Sequence, residues 1–185
     1  MLSYLENIPT ILAVAKGYKN IIDFGAGFGK YGMLIREQYL SDKAEHEITP
    51  VDDMYIIAVE DTPFMVGKLK KNWAYDNVME RSMFYFPYLS FFHGDSSPIL
   101  HEFDETLALL IDVVEHHPKE KIIQWLRLLP CPVLISTPKN TVMYTQEFYG
   151  DSRHHQSQWD MSDFQATGKT ITDYSNDLSW IVKLS

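Results

Sequence analysis

The stretch Ile21-Ile22-Asp23-Phe24-Gly25-Ala26-Gly27-Phe28-Gly29-Lys30 decides the fold. An apolar run from Asn20 to Phe24 reads as a buried strand, and the glycines after it as a tight turn. A helix is expected from Phe28 to about Tyr39, with Tyr31, Leu34, Ile35 and Gln38 sharing one face. Glycine suits such a turn because the backbone must bend sharply and let a ligand approach closely. In a doubly wound α/β sheet the first turn of this kind sits at the ligand crevice. Gly27-Phe28-Gly29-Lys30-Tyr31-Gly32 also fits the G-x-G-x-x-G pattern of dinucleotide sites. Chemistry argues against that ligand. A pyrophosphate is anionic and sits on N–H groups at the helix start, where Asp23 adds negative charge. The match is also out of register, because it begins at the second glycine of the turn. A cationic ligand suits the loop better.

Outward from this loop, short apolar runs alternate with amphipathic segments, the pattern of βαβ units and a mostly parallel sheet. Residues 2–16 read as an N-terminal helix with Leu5, Ile8 and Leu12 at helical spacing, stopped by Gly17. Residues 40–54 are polar and acidic and read as a surface loop. Tyr55 to Glu60 is the second strand. Thr62 then caps a helix with Pro63 at its first position, running to about Asn72 or Trp73. The aromatic segment 77–90, broken by Pro87, suits an extra hairpin or a lid. Phe91-Phe92-His93 is expected as the third strand and Leu107 to Asp112 as the fourth. Pro118 opens a helix lined by Ile122, Trp125, Leu126 and Leu129, and Val133 to Ser136 is the fifth strand. Residues 138–158 lack periodicity, and a loop that long in a compact domain is commonly functional. Met161 to Ala166 reads as a short helix capped by Asp160 or Ser162. Lys169 to Tyr174 and Leu178 to Lys183 form an antiparallel pair around Asn176-Asp177 that completes the sheet.

Composition narrows the function classes. The 185 residues fit a single domain, 1–185, with enough apolar residues for a sizeable core. A net charge of −9 with no basic stripe disfavours DNA as a partner. No apolar run is long enough to span a bilayer, and the N-terminal residues lack the basic start of a signal peptide. The single cysteine, Cys131, has no internal disulfide partner. A cytoplasmic protein without a membrane partner is expected.

Asp23-x-Gly25-x-Gly27-x-Gly29 resembles the first motif of class I S-adenosylmethionine (SAM)-dependent methyltransferases. SAM has no phosphate and carries an ammonium and a sulfonium, both matched by a carboxylate at Asp23. A second stretch, Asp112-Val113-Val114-Glu115-His116, resembles the D-V-[IVL]-E-H segment of small-molecule methyltransferases, the ubiquinone-type O-methyltransferases and small uncharacterised bacterial relatives among them. A third, Tyr149-Gly150-Asp151-Ser152-Arg153-His154-His155-Gln156-Ser157-Gln158-Trp159, resembles the Y-G-N-x-x-x-x-H-x-S-x-W segment of a subgroup of small relatives, and Ser136-Thr137-Pro138 resembles the family's segment after the fifth strand.

The resemblance, spanning roughly residues 20 to 174, implies a Rossmann-like three-layer α/β sandwich with a mostly parallel seven-stranded sheet and an antiparallel final strand. It implies SAM as methyl donor, with S-adenosylhomocysteine (SAH) as product. Asp23, Gly25, Ala26, Gly27 and Gly29 would bind the donor. Glu60, with Asp61 beside it, would accept hydrogen bonds from the ribose diol, Asp95 would contact the adenine, and Asp112 and Val113 would line the donor site. Glu115, Tyr149, Arg153 and Trp159 are implied as substrate contacts. His116, or else His154 or His155, would act as general base on an oxygen or nitrogen of a small-molecule acceptor.

Nucleobase methylation has little support. The [DNS]-P-P-[YF] motif is absent after the fourth strand, and Pro130-Cys131 precedes the fifth strand, the wrong place for a cytosine nucleophile. No bound metal is expected. The chain has no H-x-x-x-H or C-x-x-C, and adjacent histidines on a regular element cannot readily share one tetrahedral ion. A different reading is a catalytically inactive SAM- or nucleoside-binding module, a partner subunit or sensor, for the fold alone does not establish activity. The aromatic segment 78–90 would offer such a module, or a homodimer, its contact surface.

Overall fold

The computed structural model describes residues 4–45, 54–85, 103–140 and 155–185, with the side chains of 43–45 excepted. Seven strands form one sheet in the order β3-β2-β1-β4-β5-β7-β6. They are β1 (Asn20–Phe24), β2 (Tyr55–Glu60), β3 (Asn77–Glu80), β4 (Thr106–Ile111), β5 (Val133–Pro138), β6 (Ile171–Asp173) and β7 (Ser179–Leu184). β1 runs parallel to both β2 and β4, and β2 parallel to β3. β7 alone runs antiparallel, to β5 on one side and β6 on the other. Helices α1 (Ile8–Ala15), α2 (Lys30–Glu45), α3 (Pro63–Leu69), α4 (Lys119–Leu128) and α5 (Met161–Gln165) connect or flank the strands. This is the Rossmann-like α/β fold that the sequence pattern implies.

The chain forms two compact units, Pro9–Leu109 and Met1–Ile8 with Leu110–Ser185. In the first, every residue of β1 is buried, as expected of a parallel strand covered on both faces. The β1 and β2 bounds match the sequence reading. α2 is longer than expected: it continues through Leu40 to Glu45, and residues 46–53 of the expected loop lie outside the described residues. Its buried face carries Tyr31 and Ile35. α3 is shorter, because the chain leaves the helix after Leu69 and the Asn72 side chain accepts the Ala74 N–H in a tight turn.

The third strand corrects the sequence reading. It is Asn77–Glu80, paired in register from Ile57↔Asn77 to Glu60↔Glu80. This end strand has one neighbour in the sheet and one buried residue, Met79. It needs no apolar run, so the apolar Phe91-Phe92-His93 drew the assignment away from it. Residues 91–93 lie outside the described residues.

β4, whose residues Thr106–Leu109 belong to the first unit, and β5 of the second unit are buried throughout. α4 covers apolar surface with Ile122, Trp125 and Leu126. Asp160 caps α5 in a reciprocal box with Asp163, which settles the choice between Asp160 and Ser162. Asn176 turns β6 into β7 by accepting the N–H groups of Leu178 and Ser179. The expected N-terminal helix begins with a 3-10 turn, Leu5–Asn7, before α1. That turn buries Asn7 completely: its amide donates to Ser136 Oγ and Ser179 Oγ, at 3.1 and 2.9 Å, and its carbonyl accepts from Asn176 Nδ2.

Candidate functional site

In the unit Pro9–Leu109, β1 delivers Asp23 to the base of the glycine loop. Gly25, Gly27 and Gly29 adopt φ of 64°, 56° and 81°, the left-handed region that costs an L side chain about 1–2 kcal/mol. The loop is clipped to the end of β2. Glu60 Oε2 accepts the Gly27 N–H at 3.1 Å, while Oε1 accepts the N–H groups of Asp61 and Thr62 at 3.1 and 2.9 Å. A carboxylate has about four acceptor positions, so Glu60 keeps capacity for one further donor. Asp61 is exposed beside it, and Ala26 and Gly27 are half-buried.

Asp23 is buried, and its carboxylate accepts a 2.6 Å hydrogen bond from Tyr75 Oη and another from the Gly32 N–H in the first turn of α2. That amide has no acceptor within the helix. Burial pushes the Asp23 carboxyl up to about 7, against the Tyr75 hydrogen bond and reinforced by the charge of Glu60. Burial also pushes the Tyr75 phenol well above its ordinary range. Two glycines make room for this ring. A Cβ at Gly32 would lie 2.3 Å from Tyr75 Cζ, and one at Gly29 would lie 2.9 Å from Tyr75 Cε2. The sequence reading gave Asp23 a direct electrostatic role toward a cation and gave Tyr75 and Gly32 none. The described structure uses Asp23 to fasten the glycine loop, the start of α2 and Tyr75 together. Tyr75 belongs to no motif, and only three-dimensional proximity reveals it.

The unit containing Leu110–Ser185 holds the second group. Asp112 follows β4 with a φ of 56°, a conformation that Asp tolerates better than most residues, and its N–H donates to Ser136 O at 2.8 Å. Val113 is buried, and a 3-10 turn, Val114–His116, follows. Glu115 is fully buried. Its Oε2 accepts from Thr137 Oγ1 at 3.1 Å, and its Oε1 has no hydrogen-bond partner among the described residues. Burial, then the charge of Asp112, push the Glu115 carboxyl up to about 8.

Residues 155–160 are extended and alternate buried and exposed, which is the physical content of the H-x-S-x-W spacing. The N–H groups of Gln156 and Ser157 donate to Glu115 O at 2.7 and 3.1 Å. Ser157 Oγ donates to His117 O at 3.0 Å and accepts from Trp159 Nε1 at 3.0 Å. The Trp159 ring stacks on Phe164. This stitching sets the His155 ring 5.0 Å from that of His116, edge to face. Ligand atoms of Glu115, His116 and His155 all lie within 4.8 Å of one another.

Trp159 is 1% exposed, and its indole N–H donates to Ser157 Oγ, which anchors the segment. Glu115 is equally enclosed, with its Oε2 accepting from Thr137 Oγ1. Asp95, Tyr149, Arg153 and His154 lie outside the described residues.

No protein family and no curated protein matches the sequence, but solved structures do. The magnesium protoporphyrin IX methyltransferase of Synechocystis PCC 6803, with bound SAH, matches at a TM-score of 0.59 and 15% identity, over 96% of this chain and 80% of that one. A SAM dependent methyltransferase from Archaeoglobus fulgidus matches at 0.54 and 17% identity, over 92% of this chain and 71% of that one. Human N-acetylserotonin methyltransferase, in complex with SAM, matches at 0.57 and 12% identity, over 97% of this chain and 51% of that one, so this chain spans about half its length. The fold is that of class I SAM-dependent methyltransferases.

Proposed function

We propose that this protein transfers a methyl group from SAM to an oxygen or nitrogen of a small-molecule acceptor, releasing SAH. The contact between the Gly27 N–H and Glu60 Oε2 carries the reading. In a dinucleotide site that N–H would face a pyrophosphate. Here a carboxylate occupies it and repels a phosphate, while leaving acceptor capacity for a ribose hydroxyl.

The residues serve the reaction in distinct ways. Gly25, Ala26, Gly27 and Gly29 admit the donor, with Asp61 beside Glu60. Asp23 holds the loop from below through Tyr75 and Gly32. The acceptor's lone pair attacks the methyl carbon, the carbon–sulfur bond breaks toward sulfur, and the acceptor proton passes to a base, for which His116 and His155 are the described candidates. The protein's chief contribution is holding the reactants in line. A cytoplasmic setting suits the buried thiol of Cys131. Among the described residues no helix is long and apolar enough to cross a membrane.

Thermal unfolding with SAM, SAH and NAD tests the cofactor. Ligand at a hundredfold over its Kd adds about 2.7 kcal/mol, a rise in Tm of roughly 5–10 °C for a chain of this size. A shift with SAM or SAH and none with NAD supports the proposal. A shift with NAD alone, or with none of the three, overturns it.

A further inference from the structure

We propose that Glu115, His116 and His155 form a binding site for one divalent first-row transition-metal ion of the zinc and cobalt class. Three donors of the appropriate kind converge from two parts of the chain, all within 4.8 Å of one another. Donors around a tetrahedral ion with bonds near 2.1 Å stand roughly 3.4 Å apart, so an ion would draw the three atoms inward from separations of at most 4.8 Å. Two imidazoles and one carboxylate match a borderline cation and leave coordination positions open.

The second observation is independent of that spacing. Glu115 is 0% exposed, yet its Oε1 has no hydrogen-bond partner among the described residues. A buried carboxylate oxygen left without a donor is costly. A cation satisfies it, and Asp112, whose charge acts on the same carboxylate, adds negative potential that favours a cation. The surroundings resemble those of a built metal site. Thr137 orients the Glu115 carboxylate, and the Gln156 and Ser157 amides pin His155 beside the turn through Glu115 O. Metal sites depend on such supporting contacts to fix their ligands. The sequence expectation of no metal rested on local spacing. These ligands are His116 with its neighbour Glu115 on a 3-10 turn, and a histidine far along the chain.

The ion's part in catalysis rests on the function proposed above. An acceptor hydroxyl bound at an open position would lose its proton more readily to water, with His116 and His155 then holding the ion in place of acting as the base. The resulting oxygen attacks the methyl carbon, and the bonding pair leaves with sulfur.

The test uses the full chain, stripped with chelator and titrated with Co2+ and Zn2+ alone. One ion per chain is expected, with visible cobalt absorption bands from nitrogen and oxygen ligands. Glu115→Gln and His155→Ala should each weaken Zn2+ binding at least tenfold, with circular dichroism confirming that the variants fold. Thr137→Val, a positioning change, should weaken it less and shift the cobalt spectrum. Absence of binding, or affinity unchanged in both folded ligand variants, overturns the site. SAM binding to the stripped protein separates the two proposals. Donor binding without metal binding removes only the metal site, and metal binding without donor binding removes only the methyl-transfer reading.

Discussion

Tyr75 Oη donates a 2.6 Å hydrogen bond to Asp23 Oδ2 beneath the glycine loop, and both groups are buried. Replacing Tyr75 with Phe keeps the ring but leaves the Asp23 carboxylate short of a donor. A loss of about 1–3 kcal/mol is expected, read as a lower midpoint in urea with an unchanged slope. A Tyr75→Phe protein as stable as the parent would show that the bond contributes nothing net.

Gly32→Ala tests the same contact from the other side. Its Cβ would meet Tyr75 Cζ at 2.3 Å and Tyr75 Oη at 2.5 Å, so the ring must move. Alanine favours a helix over glycine by about 1 kcal/mol, so simple propensity predicts stabilisation. Overpacking costs about 1–3 kcal/mol and breaks the Asp23 bond as well, so net destabilisation is expected. A more stable Gly32→Ala protein would contradict the packing described.

Stability should depend on pH through Asp23. Its carboxyl is pushed from 3.8 up to about 7 by burial, with Tyr75 and Gly32 donating to it and the Glu60 carboxylate acting on it. The folded state therefore binds the proton more tightly than the unfolded chain. The associated stability is complete below about pH 4 and is lost as pH rises through about 7. The full span is on the order of 4 kcal/mol. Asp23→Asn removes this dependence, so its stability relative to the parent should rise steadily between pH 5 and 8. Parallel stability curves for the two proteins would rule Asp23 out as the titrating group.

Ser157→Ala removes the hydroxyl that joins Trp159 to the turn at His117. A stability loss of about 1–3 kcal/mol is expected, with weaker Zn2+ binding because His155 is no longer held beside Glu115. Trp159→Phe keeps a ring against Phe164 but loses the indole bond and leaves a buried cavity, so it should cost at least as much as Ser157→Ala. A smaller loss for Trp159→Phe would show that the Trp159 ring does not anchor the segment.

Asn7 sits where its amide meets Ser136, Ser179 and Asn176. Asn7→Leu would bury these partners without their bonds and should cost several times what an exposed substitution costs, roughly 2–4 kcal/mol. Thermal unfolding of this variant measures it directly, and a change below about 0.5 kcal/mol would mean the partners find water.

The sequence was most legible where local chemistry sets structure. The first two strands, the glycine turn, Pro63 at the start of α3 and the Asn176 turn follow from residue type and spacing. β3 was missed because an end strand with one buried residue carries little apolar signal. Of the site, Glu60 was legible from its place at a strand end. The roles of Tyr75, Thr137 and Ser157 depend on partners 52, 22 and 40 residues away, which no local pattern encodes. Glu115 and Trp159 drew substrate roles from their motifs, and nothing in those motifs signals that both are buried.

The closeness of Gly32 to Tyr75 has a bearing on how this protein can diverge. A larger residue at 32 is admissible only once the ring at 75 has shrunk, and a smaller residue at 75 leaves Asp23 without its phenol. The three positions should therefore change together or not at all across descendants of this chain. A lineage that has given up the tyrosine should also have replaced the buried acid, and that paired loss would be recognisable without any structure.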